Sequence, residues 1–153
     1  MAVNKIPDRF TVRVYGILSD NDGRILLSTE NINGFTFVKF PGGEIDFMEG
    51  AADALLREFQ EETGLAIEII DHLYTVDFFV QSHFNPSTQV IGIYYKVKNT
   101  GGQLTVSSAQ PFMETKNHIR LFWKETALIQ LEDFTFEMDR AAFLAWKHFI
   151  LKH

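Results

Sequence analysis

Apolar and polar positions alternate along Phe10-Thr-Val-Arg-Val-Tyr-Gly-Ile-Leu18. A period of two puts successive side chains on opposite faces, so residues 10–18 are expected to form a strand. Asn21-Asp22-Gly23 is a turn signal, and Arg24-Ile25-Leu26-Leu27 begins a return strand, which predicts a hairpin. Phe35–Phe40 reads as another short strand, ended by Pro41-Gly42-Gly43. The period then changes. Ala52, Leu55, Leu56 and Phe59 recur at helical spacing and predict one apolar face of a helix over 50–63. Gly50 is an acceptable N-cap and Gly64 stands where a C′ glycine belongs. Residues 67–80 and 90–98, rich in β-branched and aromatic side chains, return to strand. Asn99-Thr100-Gly101-Gly102 reads as a turn, and 105–117 has weak periodicity, partly loop. Leu121-Phe122-Trp123 is a last short strand. A second helix is expected over 138–151, with the stripe Met138, Ala142, Ala145, Trp146, Phe149 and Ile150. Strands interleaved with two amphipathic helices predict a layered α/β domain.

The chain has 153 residues, which sets the expectation of one domain over 1–153. No apolar run reaches the ~18 residues that span a bilayer, and Met1–Arg9 has no apolar stretch of the signal-peptide type. A cytoplasmic location with no membrane partner is therefore the default expectation. The absence of cysteine excludes a disulfide framework, a thiolate zinc site and a cysteine nucleophile.

Charge sharpens the picture. The net charge is −6. The nineteen residues from Glu44 to Glu62 hold seven acids and one base, Arg57, so this segment carries the whole imbalance. A binder of phosphate backbones needs a basic face, so nucleic acid is disfavoured as a partner and cations are favoured. Glu58, Glu61 and Glu62 fall within roughly 100° of one another around the helix, beside the apolar stripe. Three carboxylates so spaced repel each other. A hard divalent cation relieves that repulsion, and magnesium binds carboxylate oxygens together with substrate phosphates. On spacing alone a solvated acidic face and a metal site stand level.

The flanking residues separate the two. Gly43, five residues, Glu49, seven residues, then Arg57-Glu58-Phe59-Gln60-Glu61-Glu62-Thr63-Gly64-Leu65 resembles the Nudix box, G-x5-E-x7-R-E-U-x-E-E-x-G-U with U apolar. All nine specified positions match, and the preceding strands and Pro41-Gly42-Gly43 fit the family's pattern more loosely. The resemblance implies an α/β/α sandwich with a mixed β-sheet between helices. It implies hydrolysis of a diphosphate that links a nucleoside to another moiety, with Mg2+ or Mn2+ as cofactor. Carried over by position, Glu58 and Glu62 are the expected metal ligands. Glu61 is a further ligand or the base for the attacking water, and the Gly42 carbonyl joins the metal sphere. Glu49 and Arg57 correspond to the ion pair that braces loop against helix, with Gly43 and Gly64 as structural glycines of the box. Members of the family commonly pair, so a homodimer is among the expected partners beside a small nucleotide-type substrate.

Some positions depart from the family's habit. Met48 stands where a glycine often precedes the box glutamate, Gly50 replaces a frequent Ser/Thr cap, and Val38 takes a position often held by Trp. Ser28-Thr29-Glu30 lies where many members place an arginine. Glu114 is the candidate for a late loop base or extra ligand, although a solvated loop glutamate is the commoner case. Lys39, Lys116 and Arg120 are candidate phosphate contacts, and His83 and His118 can titrate near a substrate; each is more commonly structural or solvated. Tyr74, Phe78, Phe79, Tyr94 and Tyr95 are expected in the core rather than as base-stacking groups, as are Trp146 and Phe149. A nucleotide sensor that binds without cleaving is the alternative function. The isomerase branch of the family uses a cysteine that this chain lacks.

Overall fold

Both faces of the first strand are apolar, and the fold follows from covering both. In the computed structural model, which describes residues 5–104 and 118–153, β1 (Arg9–Leu18) is an inner strand of a four-stranded sheet. It pairs antiparallel with β4 (Gly42–Glu44) and parallel with β6 (Thr88–Gly102), and β6 pairs antiparallel with β5 (Leu65–Thr75). A second sheet places β2 (Arg24–Ile32) between β3 (Phe35–Lys39) and β7 (His118–Glu125). Helix α1 (Ala51–Thr63) follows β4, and α2 (Glu137–Lys152) closes the chain. The result is an α/β sandwich containing a mixed sheet, as the box resemblance implied.

Residues of β1 alternate between two cores. Val14 and Leu18 pack with Ala54, Leu55 and Phe59 of α1 and with Val97 of β6. Tyr15 and Ile17 face the other way, onto Tyr94, Phe134 and the α2 residues Met138, Ala142, Phe143 and Trp146. Gly16 sits over Phe59, where a Cβ would come 2.9 Å from the ring. Alternate side chains thus enter separate clusters, which a strand can do only when it is covered on both faces.

Several sequence expectations are corrected. The strands on either side of Asn21-Asp22-Gly23 do not form a hairpin ladder. They touch at a single bridge, Ser19↔Ile25, and then part into different sheets, because β4 and β6 already occupy both edges of β1. The strand expected over 67–80 runs over Leu65–Thr75. Asp77 breaks the apolar run and accepts the Tyr74 hydroxyl, leaving Phe78 and Phe79 exposed rather than core. The turn expected at 99–102 is the end of β6, where Ala66↔Gly101 and Leu65↔Gly102 pair across a bulge. The buried face of α1 is Ala54, Leu55, Phe59 and Thr63; Ala52 and Leu56 are exposed. The helix is rolled so that the Thr63 hydroxyl, donating to the Phe59 carbonyl at 2.6 Å, lies inside. In α2 the buried stripe contains Asp139 and Phe143, and Ile150 is exposed. Among the described residues, no helix is long and apolar enough to cross a membrane.

Candidate active site

Helix α1 presents its carboxylates because of how it begins and ends. Gly50 opens it with extended backbone and accepts from the Ala54 amide at 3.0 Å. Gly64 ends it in the left-handed conformation, φ 78°, which glycine adopts without steric cost. Glu58, Glu61 and Glu62 lie in between, on the side that looks toward β4 and the 45–50 loop.

Arg57 organises the outer half of this face. Its Nε and Nη2 donate to the two oxygens of Glu49, both at 2.7 Å. Its Nη1 donates to Glu58 at 2.9 Å and to Glu61 at 3.2 Å, and Nη2 also reaches the Glu44 carbonyl at 3.2 Å. One planar fork therefore ties the loop, β4 and two box carboxylates together, a geometry that lysine cannot supply. The Arg57 hydrogen bonds, helped by the Asp46 amide, hold the Glu49 carboxyl down at about 2. Gly43 permits the close approach of β4: a Cβ there would overlap the Glu58 carboxylate. A Cβ on Gly42 would likewise overlap the Val14 carbonyl oxygen.

The inner half is organised by Lys39. This lysine is buried, and its Nζ sits 2.7 Å from Glu30 and 3.3 Å from Glu62 while donating to the Phe40 carbonyl. Burial works against its charge, but Glu62 and Glu30 outweigh that and raise its pKa. Burial pushes the Glu62 carboxyl up, and Lys39 only partly offsets it. Lys39 is thus an internal counter-ion rather than a solvated surface cation.

The donor chemistry fits a hard divalent cation. Glu58, Glu61 and Glu62 offer carboxylate oxygens, Gly42 a backbone carbonyl, and Gly43 the clearance for Glu58 to lie against the chain. Among the described residues, no three His, Asp or Glu side chains converge as a ready-made metal cluster. Glu58 and Glu61 are turned to Arg57, and Glu62 to Lys39.

Beside this face lies a cavity of about 470 Å³. It is lined from β1 by Arg13 and Tyr15, from β2 by Glu30, from β3 by Phe37 and Lys39, and from α2 by Asp139. The segment after β5 supplies His83 and Phe84. Lys39 and Glu30 border both the cavity and the carboxylate face. His83 stacks on Phe35 at 4.2 Å. Arg120 is exposed on β7 opposite Thr29. Glu114 and Lys116 lie outside the described residues. Asp139, which the sequence reading passed over, is fully buried, accepts the Tyr94 hydroxyl at 2.9 Å and is pushed up by burial to about 7. Its signal in the sequence was an acid in register with the apolar stripe, three, four and seven residues before Ala142, Phe143 and Trp146.

The chain is similar in sequence and in fold to known proteins. The chain is 28% identical over 102 residues to a MutT-like protein of Streptomyces ambofaciens, which covers 67% of this chain and 60% of that one. It is 41% identical over 66 residues to an RNA pyrophosphohydrolase of Teredinibacter turnerae, covering 43% of this chain and 38% of that one. The chain thus spans less than two thirds of the length of each of these curated relatives. Its fold matches that of the MutT protein from Methanosarcina mazei Go1, with a TM-score of 0.69, 21% identity, and 96% and 97% of the two chains covered. The NUDIX domain profile matches residues 9–146, and the chain belongs to that family.

Proposed function

We propose that the protein hydrolyses the diphosphate linkage of a nucleoside diphosphate joined to another moiety, with Mg2+ or Mn2+ held at the carboxylate face of α1. The observation that carries this reading is the complete box as a built site. Glu58 lies against Gly43, Glu61 is reached by the Arg57 fork, and Glu62 is buried against Lys39. When bound, the cation neutralises the diphosphate and polarises its phosphoryl oxygens.

The chain's own groups divide the remaining work. Glu58 and Glu62, one helical turn apart, hold the cation with the Gly42 carbonyl. Glu61 is 60% exposed and keeps one loose contact to Arg57, so it is free to take a proton from an attacking water. Arg57 and Glu49 fix the loop relative to the helix, which keeps the carboxylates in place through turnover. Lys39, 3.3 Å from Glu62, favours its charged form and offsets part of the effect of burial. Attack is in line on one phosphorus, and the other phosphate leaves. The names of relatives and structural neighbours, among them an RNA pyrophosphohydrolase and an ADP-ribose pyrophosphatase, set the substrate panel.

The test is phosphate release from nucleoside diphosphate sugars, ADP-ribose, dinucleoside polyphosphates, oxidised nucleoside triphosphates and 5′-triphosphorylated RNA. Each is assayed with Mg2+, with Mn2+ and with chelator, beside Glu62→Gln. Losing a carboxylate ligand removes several kcal/mol of charge stabilisation, so activity should fall about 100-fold or more. Full metal-dependent activity in Glu62→Gln would overturn the ligand assignment. Binding without turnover on every compound would replace the hydrolase with a sensor.

A further inference from the structure

The cations around the carboxylate face differ in how much of their hydrogen bonding is already spent. Arg57 gives its donors to Glu49, Glu58, Glu61 and the Glu44 carbonyl. Lys39 is held by Glu30, Glu62 and the Phe40 carbonyl. Arg9 is exposed and paired with Asp8 at 3.0 Å. Arg13 of β1 is different. It is half-buried on the cavity wall, and its Nε donates to the Tyr15 hydroxyl at 2.8 Å. Among the described residues it makes no ion pair, and its two Nη groups meet no acceptor. A guanidinium carries five N–H donors in a fixed fork, so Arg13 holds an unspent pair of donors and an unpaired charge.

Its place is next to the reaction site. The Arg13 Cζ lies 5.9 Å from the centroid of the Tyr15 ring, and the Lys39 Nζ lies 5.7 Å from the same centroid. Lys39 in turn touches Glu62. Across β1 and β4, Arg13 is in register with Glu44, and Tyr15 with Gly42. The acids whose fields reach Arg13 are Glu30 and Glu44, both on the cavity wall. Tethered to Tyr15, the fork engages neither. A charge withdrawn from bulk water and left unpaired is costly, which points to a partner supplied from outside. The free Nη pair fits a phosphate, which takes two parallel N–H···O bonds from such a fork.

We propose that Arg13 anchors the substrate by donating from its Nη pair to a phosphate beside the carboxylate face. This rests on the hydrolase reading and deepens it, because it names a residue that grips the substrate without help from a cation. Contacts made through a metal vanish when the metal is removed, whereas those of Arg13 stay. The rest of the face is acidic and repels an anion. Arg13 therefore gives the metal-free protein its recognition of phosphate. Lysine at this position keeps the charge but loses both the fork and the Nε tether to Tyr15, so it substitutes poorly.

The experiment needs no turnover. AMP, IMP, UMP and CMP, and their four parent nucleosides, are titrated calorimetrically in chelator into wild type, Arg13→Gln and Arg13→Lys. In wild type the monophosphates that bind should do so about tenfold or more tighter than their nucleosides. In Arg13→Gln that gap should fall below about threefold, and in Arg13→Lys it should lie between the two. Nucleoside affinities should be the same in all three proteins, because a merely structural Arg13 moves nucleoside and nucleotide together. Mn2+ affinity, titrated separately, should also match wild type, which shows that the carboxylate face is intact. If Arg13→Gln does not fold, the narrowed gap in Arg13→Lys decides. A wild-type gap near one, an unchanged gap in the variants, or no binding of any monophosphate without metal would overturn the proposal. So would a tenfold loss of Mn2+ affinity in Arg13→Gln, which would make Arg13 a support of the metal face. An Arg13-dependent gap without hydrolysis of any substrate would sink the hydrolase and keep the anchor. Hydrolysis with a gap indifferent to Arg13 would do the reverse.

Discussion

Replacing Asp139 with Asn should change stability in a way that depends on pH, and the size can be worked out. The side chain is fully buried, and its carboxyl is raised from an ordinary 3.8 to about 7, chiefly by burial. That difference stands for roughly 4 kcal/mol between the two protonation states. The sign follows from linkage. A carboxyl whose folded pKa exceeds its unfolded value favours the fold at low pH, and that contribution is lost as pH rises from about 4 through about 7. Asparagine keeps an oxygen for the Tyr94 hydroxyl and carries no charge, so its contribution is flat. Any cost of its own amide is also flat and cancels when two pH values are compared. The melting temperature of Asp139→Asn relative to wild type should therefore climb from pH 4 to pH 8. For a chain of this length about 1 kcal/mol moves the midpoint 2–4 °C, so the relative climb is roughly 8–16 °C. Melts followed by circular dichroism at half-unit intervals measure it, with all other titrations common to both proteins. Parallel curves across that range would show that Asp139 is not a buried acid with a raised pKa, and the reasoning would fail.

Two further substitutions test separate parts of the structure. Arg57→Met frees Glu49, Glu58 and Glu61 at once, and Mn2+ affinity measured by titration should weaken about 10–100-fold; unchanged affinity would remove Arg57 from the support of the metal face. Phe59→Ala empties a fully buried site against Gly16 and should cost about 3–5 kcal/mol in urea unfolding, with a normal metal affinity in the protein that remains folded; a loss under 1 kcal/mol would contradict the packing of α1 on β1.

The legible parts of this protein are those fixed by local geometry. A helix sets Glu58, Glu61 and Glu62 on adjacent turns whatever surrounds them, so the box can be read as a line of residues. The 8-residue reach from Glu49 to Arg57 is fixed by the same turn and helix. Lys39 was not legible as a counter-ion, because its partners Glu30 and Glu62 come from a neighbouring strand and from a helix 23 residues on. The hairpin misreading has the same origin: a turn signal reports the turn, while strand pairing depends on which edges are already taken. The cavity draws on β1, β2, β3, the segment after β5 and α2, and no local pattern marks such a set. The roll of α1 that buries Thr63 and exposes Leu56 depends on β4 and β1, which the helix's own periodicity does not contain.

The parallel pairing of β1 with β6 also dictates an order of events. From Arg9↔Thr88 to Leu18↔Val97, every residue of β1 waits for a partner 79 positions further along the chain. At a synthesis rate of about 5–20 residues per second, that wait lasts roughly 4–16 s on the ribosome. During it, α1 and its carboxylates have already been made, and the apolar residues Leu55 and Phe59 lack the β6 residue Val97 against which they finally pack. Long-range parallel pairing also slows folding once the chain is free. The nascent chain therefore carries its acidic helix for seconds before the sheet that will hold it still exists, and the carboxylate face gains its full support only when the C-terminal half arrives.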